Sequence, residues 1–68
     1  MENDWINVYS SGLPHLVEMA KEILRENQIE SVVVDKRDSA YITIGVLELY
    51  VRDRDVMRAK FILEKNPL

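Results

Sequence analysis

The six residues Leu47-Glu48-Leu49-Tyr50-Val51-Arg52 constrain this chain more than any other stretch. Apolar and polar side chains alternate without a break. That pattern suits a strand with one buried face and does not suit a helix. Leu47, Leu49 and Val51 are therefore expected in a core, with Glu48, Tyr50 and Arg52 on the other side. The rest of the chain has to cover one face of that strand. With 68 residues and no Cys, neither a disulfide nor a thiolate zinc site can help. The cover has to come from apolar helix faces within a single domain spanning residues 1–68.

Two segments have the required helical spacing. In "LPHLVEMAKEILREN", Leu16, Ala20, Ile23 and Asn27 recur on one side, widened by Val17 and Leu24. Pro14 fits the first turn, and Asn27 is expected to end the helix in a left-handed conformation. In "DRDVMRAKFILEKN", Val56, Ala59, Ile62 and Leu63 form the apolar stripe, and Asp53 or Asp55 is the expected N-cap. Two further strands are expected. "WINVYSS" alternates, with Ile6 and Val8 on one face and Trp5, Asn7 and Tyr9 on the other. "IESVVVDK" sets Val32 and Val34 against Val33. The parity of the strand ending at Arg52 cannot be carried back through Tyr41-Ile42-Thr43-Ile44, so a break or bulge is expected near Gly45.

The order is β-α-β-β-α. Right-handed crossover puts both helices on one sheet face, and the split β-α-β arrangement inserts the third strand between the first two. The expected fold is α+β, a two-layer ferredoxin-like sandwich with strand order 1-3-2 and the usual last strand missing. A plain hairpin beside a parallel pair is the alternative topology. The outer edge of the first strand is then open. The helix-free face is expected to carry Trp5, Tyr9, Val33 and Tyr50, together with Asn7 and Glu48. Exposed aromatics on a bare sheet fit a partner surface. Cross-strand pairs that simply stabilise a thin sheet fit equally well.

Chemical motifs are sparse. His15 is the only His and has no second ligand or triad partner near it in sequence. Ser10-Ser11-Gly12 reads as a strand-to-helix turn rather than a phosphate loop. Asp35 and Asp38 flank Lys36 and Arg37 and read as a solvated turn rather than a cation site. Arg52, Arg54 and Arg58 are offset by Asp53 and Asp55. With a net charge of −3 and no RNA-binding aromatic signature, nucleic acid is a poor candidate partner. No cofactor, metal or catalytic set is expected. The acidic start has no signal-peptide pattern, no apolar run is long enough for a bilayer, and the lack of Cys fits a cytoplasmic setting.

The segment "DKRDSAYITIGVLELYVRDRDVMRAKFIL" resembles a bacterial family of small domains labelled putative prokaryotic signal-transducing proteins. The likeness runs nearly end to end. It includes the aromatic-led "WINVYSS", a helix with Ala20 ending in "LRENQIES", the pattern "DSAY" followed by a Gly and "ELYV", and a last helix with Ala59, Ile62 and Leu63. The resemblance implies a fold similar to the trimeric nitrogen-regulatory signal proteins, which meet partners through a loop between their second and third strands. The corresponding loop here is short and carries Asp38, Ser39, Tyr41 and Gly45. Two functional expectations result. The first is a non-enzymatic regulatory module that binds a protein partner, or a second copy, through the bare face or the strand-1 edge. The second is a sensor of a small anionic metabolite using the Asp38–Gly45 loop.

Overall fold

A computed structural model describes residues 4–36 and 46–66. The alternating segment forms β3 (Leu47–Arg52), the centre of the sheet. It is antiparallel to both β1 (Trp5–Ser11) and β2 (Ser31–Asp35), giving the order β1-β3-β2. Helix α1 (Pro14–Glu26) links β1 to β2. A 3₁₀ turn over Asp53–Asp55 leads from β3 into α2 (Val56–Lys65). Leu49 and Val51 are fully buried and Leu47 nearly so. They meet Val17, Ala20 and Leu24 of α1 and Ala59 of α2 in one core, so both helices lie on the same sheet face. This is the α+β, ferredoxin-like arrangement expected, with the sheet order 1-3-2.

The helix stripes sit close to their expected positions. Val56, Ile62 and Leu63 pack on the core around Ala59. On α1 the buried line runs through Val17, Ala20 and Leu24, with Leu16 and Ile23 half-buried and Asn27 exposed. Two small residues, Ala20 and Ala59, are among those with no exposure. Small side chains let helix backbones come close to the sheet and to each other.

Strand β1 differs from the simple alternation in one respect, and the difference matters. Asn7 pairs with Tyr50 and Tyr9 pairs with Leu49, so Val8 is an extra residue with no opposite number. This is a β-bulge. Asn7 stabilises it: its side-chain amide donates to the carbonyls of Tyr9 at 3.1 Å and Leu49 at 3.3 Å. A single inserted residue reverses the parity of everything after it. Tyr9 therefore shares the face of Leu49 and packs against the core, as does Val8. The expectation that Tyr9 lies on the bare face is corrected by the bulge.

Val33 needs the same correction. It pairs with Leu49 and packs against the core, whereas Val32 and Val34 pair with Tyr50 and Glu48 on the open side. Residues directly opposite in an antiparallel ladder share a face, so β3 dictates the parity of β2.

The end of α1 also departs from expectation. Asn27 has φ −99°, and the left-handed residue is Gln28, with φ 63°. The N–H of Gln28 donates to the carbonyl of Arg25 and that of Ile29 to the carbonyl of Leu24, both at 2.9 Å. These are the two bonds of a Schellman cap, whose usual apolar contact joins the residues here occupied by Leu24 and Ile29. Both are essentially fully buried. The Asn27 side chain instead donates to the carbonyl of Ile23 at 2.8 Å, and Arg58 of α2 donates to the carbonyl of Asn27 at 3.1 Å.

A non-Gly residue in the left-handed region costs about 1–2 kcal/mol, part of which Gly returns as unfolded-chain entropy. Gln28→Gly is therefore expected to stabilise the fold by up to about 1 kcal/mol. That is a rise in melting temperature of roughly 4–8 °C for a domain of this size. A thermal melt followed by circular dichroism measures it.

At the start of α2, Asp55 occupies the N-cap position without a side-chain capping bond. Its carboxylate faces Arg58 at 3.6 Å and Arg54 at 3.8 Å. Before α1, Ser11 Oγ accepts the N–H of Leu13 at 3.0 Å, so this Ser shapes the strand-to-helix turn. The break expected near Gly45, and the loop residues Asp38, Ser39 and Tyr41, lie outside the described residues.

Candidate functional site

The ladder fixes which side chains face away from the helices. Glu48, Tyr50 and Arg52 of β3 point there, with their partners Ser10, Asn7 and Trp5 from β1. Strand β2 adds Val32 beside Tyr50 and Val34 beside Glu48. Among these, Trp5, Val32, Val34 and Tyr50 line a groove of about 360 Å³. Val32 is 41% exposed and Val34 37%. Two adjacent β-branched apolar residues left this open, next to two aromatics, make a patch of the kind that proteins cover with a partner.

Charged groups frame the groove, and each has a partner. At one end the Tyr50 hydroxyl donates to Glu48 Oε1 at 2.7 Å, and Lys36 Nζ lies 3.2 Å from the same oxygen. At the other end the Arg52 guanidinium sits 4.6 Å over the Trp5 ring. It also reaches Asp4 at 3.3 Å and Glu30 at 3.7 Å. The cation over the indole face orients Trp5 as well as shielding it.

These contacts shift two ionisations in opposite directions. The bond from Tyr50, then the contact with Lys36, holds the Glu48 carboxyl below the ordinary carboxylate range. The same bond, with some burial, raises the Tyr50 hydroxyl above the ordinary phenol value. The depressed Glu48 contributes stability above its unfolded pKa, and that contribution is lost as pH falls through the folded value. The raised Tyr50 contributes below its unfolded pKa, and its contribution is lost as pH rises through the folded value. The pair therefore holds best between the acid and the alkaline limbs. Glu48→Gln removes the anionic acceptor, so the ultraviolet phenolate titration should move to lower pH. Tyr50→Phe identifies which tyrosine moved. An unchanged titration in Glu48→Gln would show that Glu48 does not govern Tyr50.

Of the four residues expected on the bare face, the structure brings Trp5 and Tyr50 together there. It places Tyr9 and Val33 on the helix side. Val32 and Val34 replace them, and sequence reading missed both. Three consecutive valines satisfy either parity, so only the pairing with β3 decides. The Asn7-x-Tyr9 bulge carries a weak signal, an Asn inside an apolar alternation.

Outside this face the structure offers little chemistry. His15 is exposed at the start of α1. Among the described residues no group of three His, Cys, Asp or Glu is placed to hold a metal ion, and no helix is long and apolar enough to cross a membrane. Of the functional-loop candidates, Asp38, Ser39, Tyr41 and Gly45 all lie outside the described residues.

Residues 5–66 fit the family model described as "Putative prokaryotic signal transducing protein". No curated protein and no solved structure matches the chain.

Proposed function

Since the chain belongs to that family, matched from Trp5 to Asn66, we propose that it is a non-enzymatic regulatory module that acts by docking a protein on its uncovered sheet face. The observation that carries this reading is the groove of Trp5, Val32, Val34 and Tyr50. The charges around it favour a protein over a polyanion. Lys36 and Arg52 are engaged by Glu48, Asp4 and Glu30, so among the described residues the face offers no uncompensated cation to a phosphate. What remains is an apolar centre with a neutralised polar rim, the usual anatomy of a protein–protein surface.

Two variants test it. Tyr50→Lys places a charge in the groove centre, and Trp5→Ala removes an aromatic wall. Neither touches the outer edge of β2. A host protein captured by the immobilised wild-type chain should perturb its Trp5 indole and its Val32 and Val34 methyl resonances. It should be lost with both variants, whose folding is checked by circular dichroism. A captured protein that survives both substitutions, or that perturbs only helix resonances, overturns the proposal. So does an absence of any captured protein.

A further inference from the structure

The two edges of the sheet are not equivalent. The row of backbone groups along β1 is interrupted by the bulge at Val8. Bulges of this kind blunt an edge against further pairing. Strand β2 has no bulge, no Pro and no Gly, and runs in unbroken register from Ser31 to Asp35.

Which backbone groups β2 turns outward follows from one bond. The N–H of Lys36 donates to the carbonyl of Val46 at 3.0 Å. Lys36 therefore directs its backbone at β3. Hydrogen-bonding direction alternates along a strand, so Ser31, Val33 and Asp35 direct N–H and C=O away from the sheet.

We infer that β2 pairs antiparallel with β2 of a second copy of this chain about a two-fold axis at Val33, merging the two sheets into one. The sequence Glu30-Ser31-Val32-Val33-Val34-Asp35-Lys36 is self-complementary in this register. Val33 meets Val33 of the second copy and exchanges both backbone bonds with it. Ser31 and Asp35 exchange theirs reciprocally. On the groove side, Val32 meets Val34 of the second copy, and Glu30 meets Lys36 of the second copy. Opposite charges and β-branched pairs directly across a ladder are favourable. A two-residue slip, the smallest that keeps outward groups opposed, sets Glu30 or Lys36 against a valine.

Two further features fit the same register. Ser31 Oγ is the one buried side-chain oxygen or nitrogen without a hydrogen-bond partner among the described residues. In this register Ser31 lies opposite Asp35 of the second copy. Asp35 of the second copy also arrives at a notch of about 150 Å³ lined by Lys21, Arg25, Ile29, Glu30 and Ser31. Glu30, which also lines the notch, reaches Arg52 at 3.7 Å. Glu22 already holds Arg25, so Lys21 is the basic side chain of the notch left to face an incoming carboxylate. An isologous contact of this kind closes as a dimer.

The edge used here is not the face used above, and separate measurements decide each. Sedimentation equilibrium of the full chain at high micromolar concentration should give twice the 8.0 kDa chain mass. Val33→Pro deletes an outward N–H and no bond to β3, so the variant should keep its helical spectrum and sediment as a single chain. Asp35→Lys should weaken the pair by at least about tenfold, because it sets a cation against Lys21 in place of a carboxylate. The chain has no Cys, so single cysteines report proximity cleanly. Val33→Cys should cross-link to itself under mild oxidation, and Val32→Cys, which faces Val34 of the second copy, should do so far less. A wild-type single-chain mass, a doubled mass that survives Val33→Pro, or preferential cross-linking at position 32 overturns the inference. Should Val33→Pro fail to fold, the cross-linking pair alone decides.

Discussion

Leu49→Ala is expected to remove most of the stability of this domain. Leu49 sits at the centre of the middle strand, between Tyr9 on β1 and Val33 on β2, and is fully buried under both helices. Truncation loses the transfer free energy of the missing carbons and leaves a cavity, together about 2–5 kcal/mol. A chain this short has a total stability of only a few kcal/mol up to about 10. Both neighbouring strands are held in register through the same strand, so they are poorly placed to collapse into the gap. Urea denaturation should show the midpoint falling steeply or the folded baseline disappearing. A loss below about 1 kcal/mol would mean that the helices settle onto the sheet and refill the site.

The second large effect comes from adding volume. Ala59 is the fully buried residue of α2, and it faces the core between Val56, Ile62 and Leu63. Ala59→Leu puts three more carbons into a close-packed space and should cost about 1–3 kcal/mol, because α2 must lift or neighbouring rotamers must strain. Met57, two residues away, is 85% exposed. Met57→Ala is the internal control, expected within about 0.5 kcal/mol of wild type. Comparing the two by thermal melt separates core packing from helix propensity. Equal effects at the two positions would refute the packing argument.

Sequence reading recovered what periodicity dictates and lost what depends on a pairing partner. The alternation of Leu47 to Arg52 identified a strand and its buried face from local pattern alone. The stripes of the two helices were legible for the same reason. Tyr9 was misplaced because one unpaired residue, Val8, inverts the face of the strand beyond it, and a bulge leaves almost no trace in composition. Val33 was misplaced because a run of three valines carries no parity of its own. Gln28 was missed because Asn is the commoner left-handed residue after Gly, and Asn27 stood beside it. The site was therefore half legible. Trp5 and Tyr50 could be assigned from the strands that carry them, while Val32 and Val34 required the ladder.

The position of β3 has a consequence for how the chain is made. The strand that pairs with both others is the last of the three to be synthesised. Among the described strands, β1 and β2 have no neighbour to bond with until Leu47 to Arg52 emerge, because they do not pair with each other in the sheet. Among the described strands, the valine-rich β2 therefore has no sheet partner until β3 arrives.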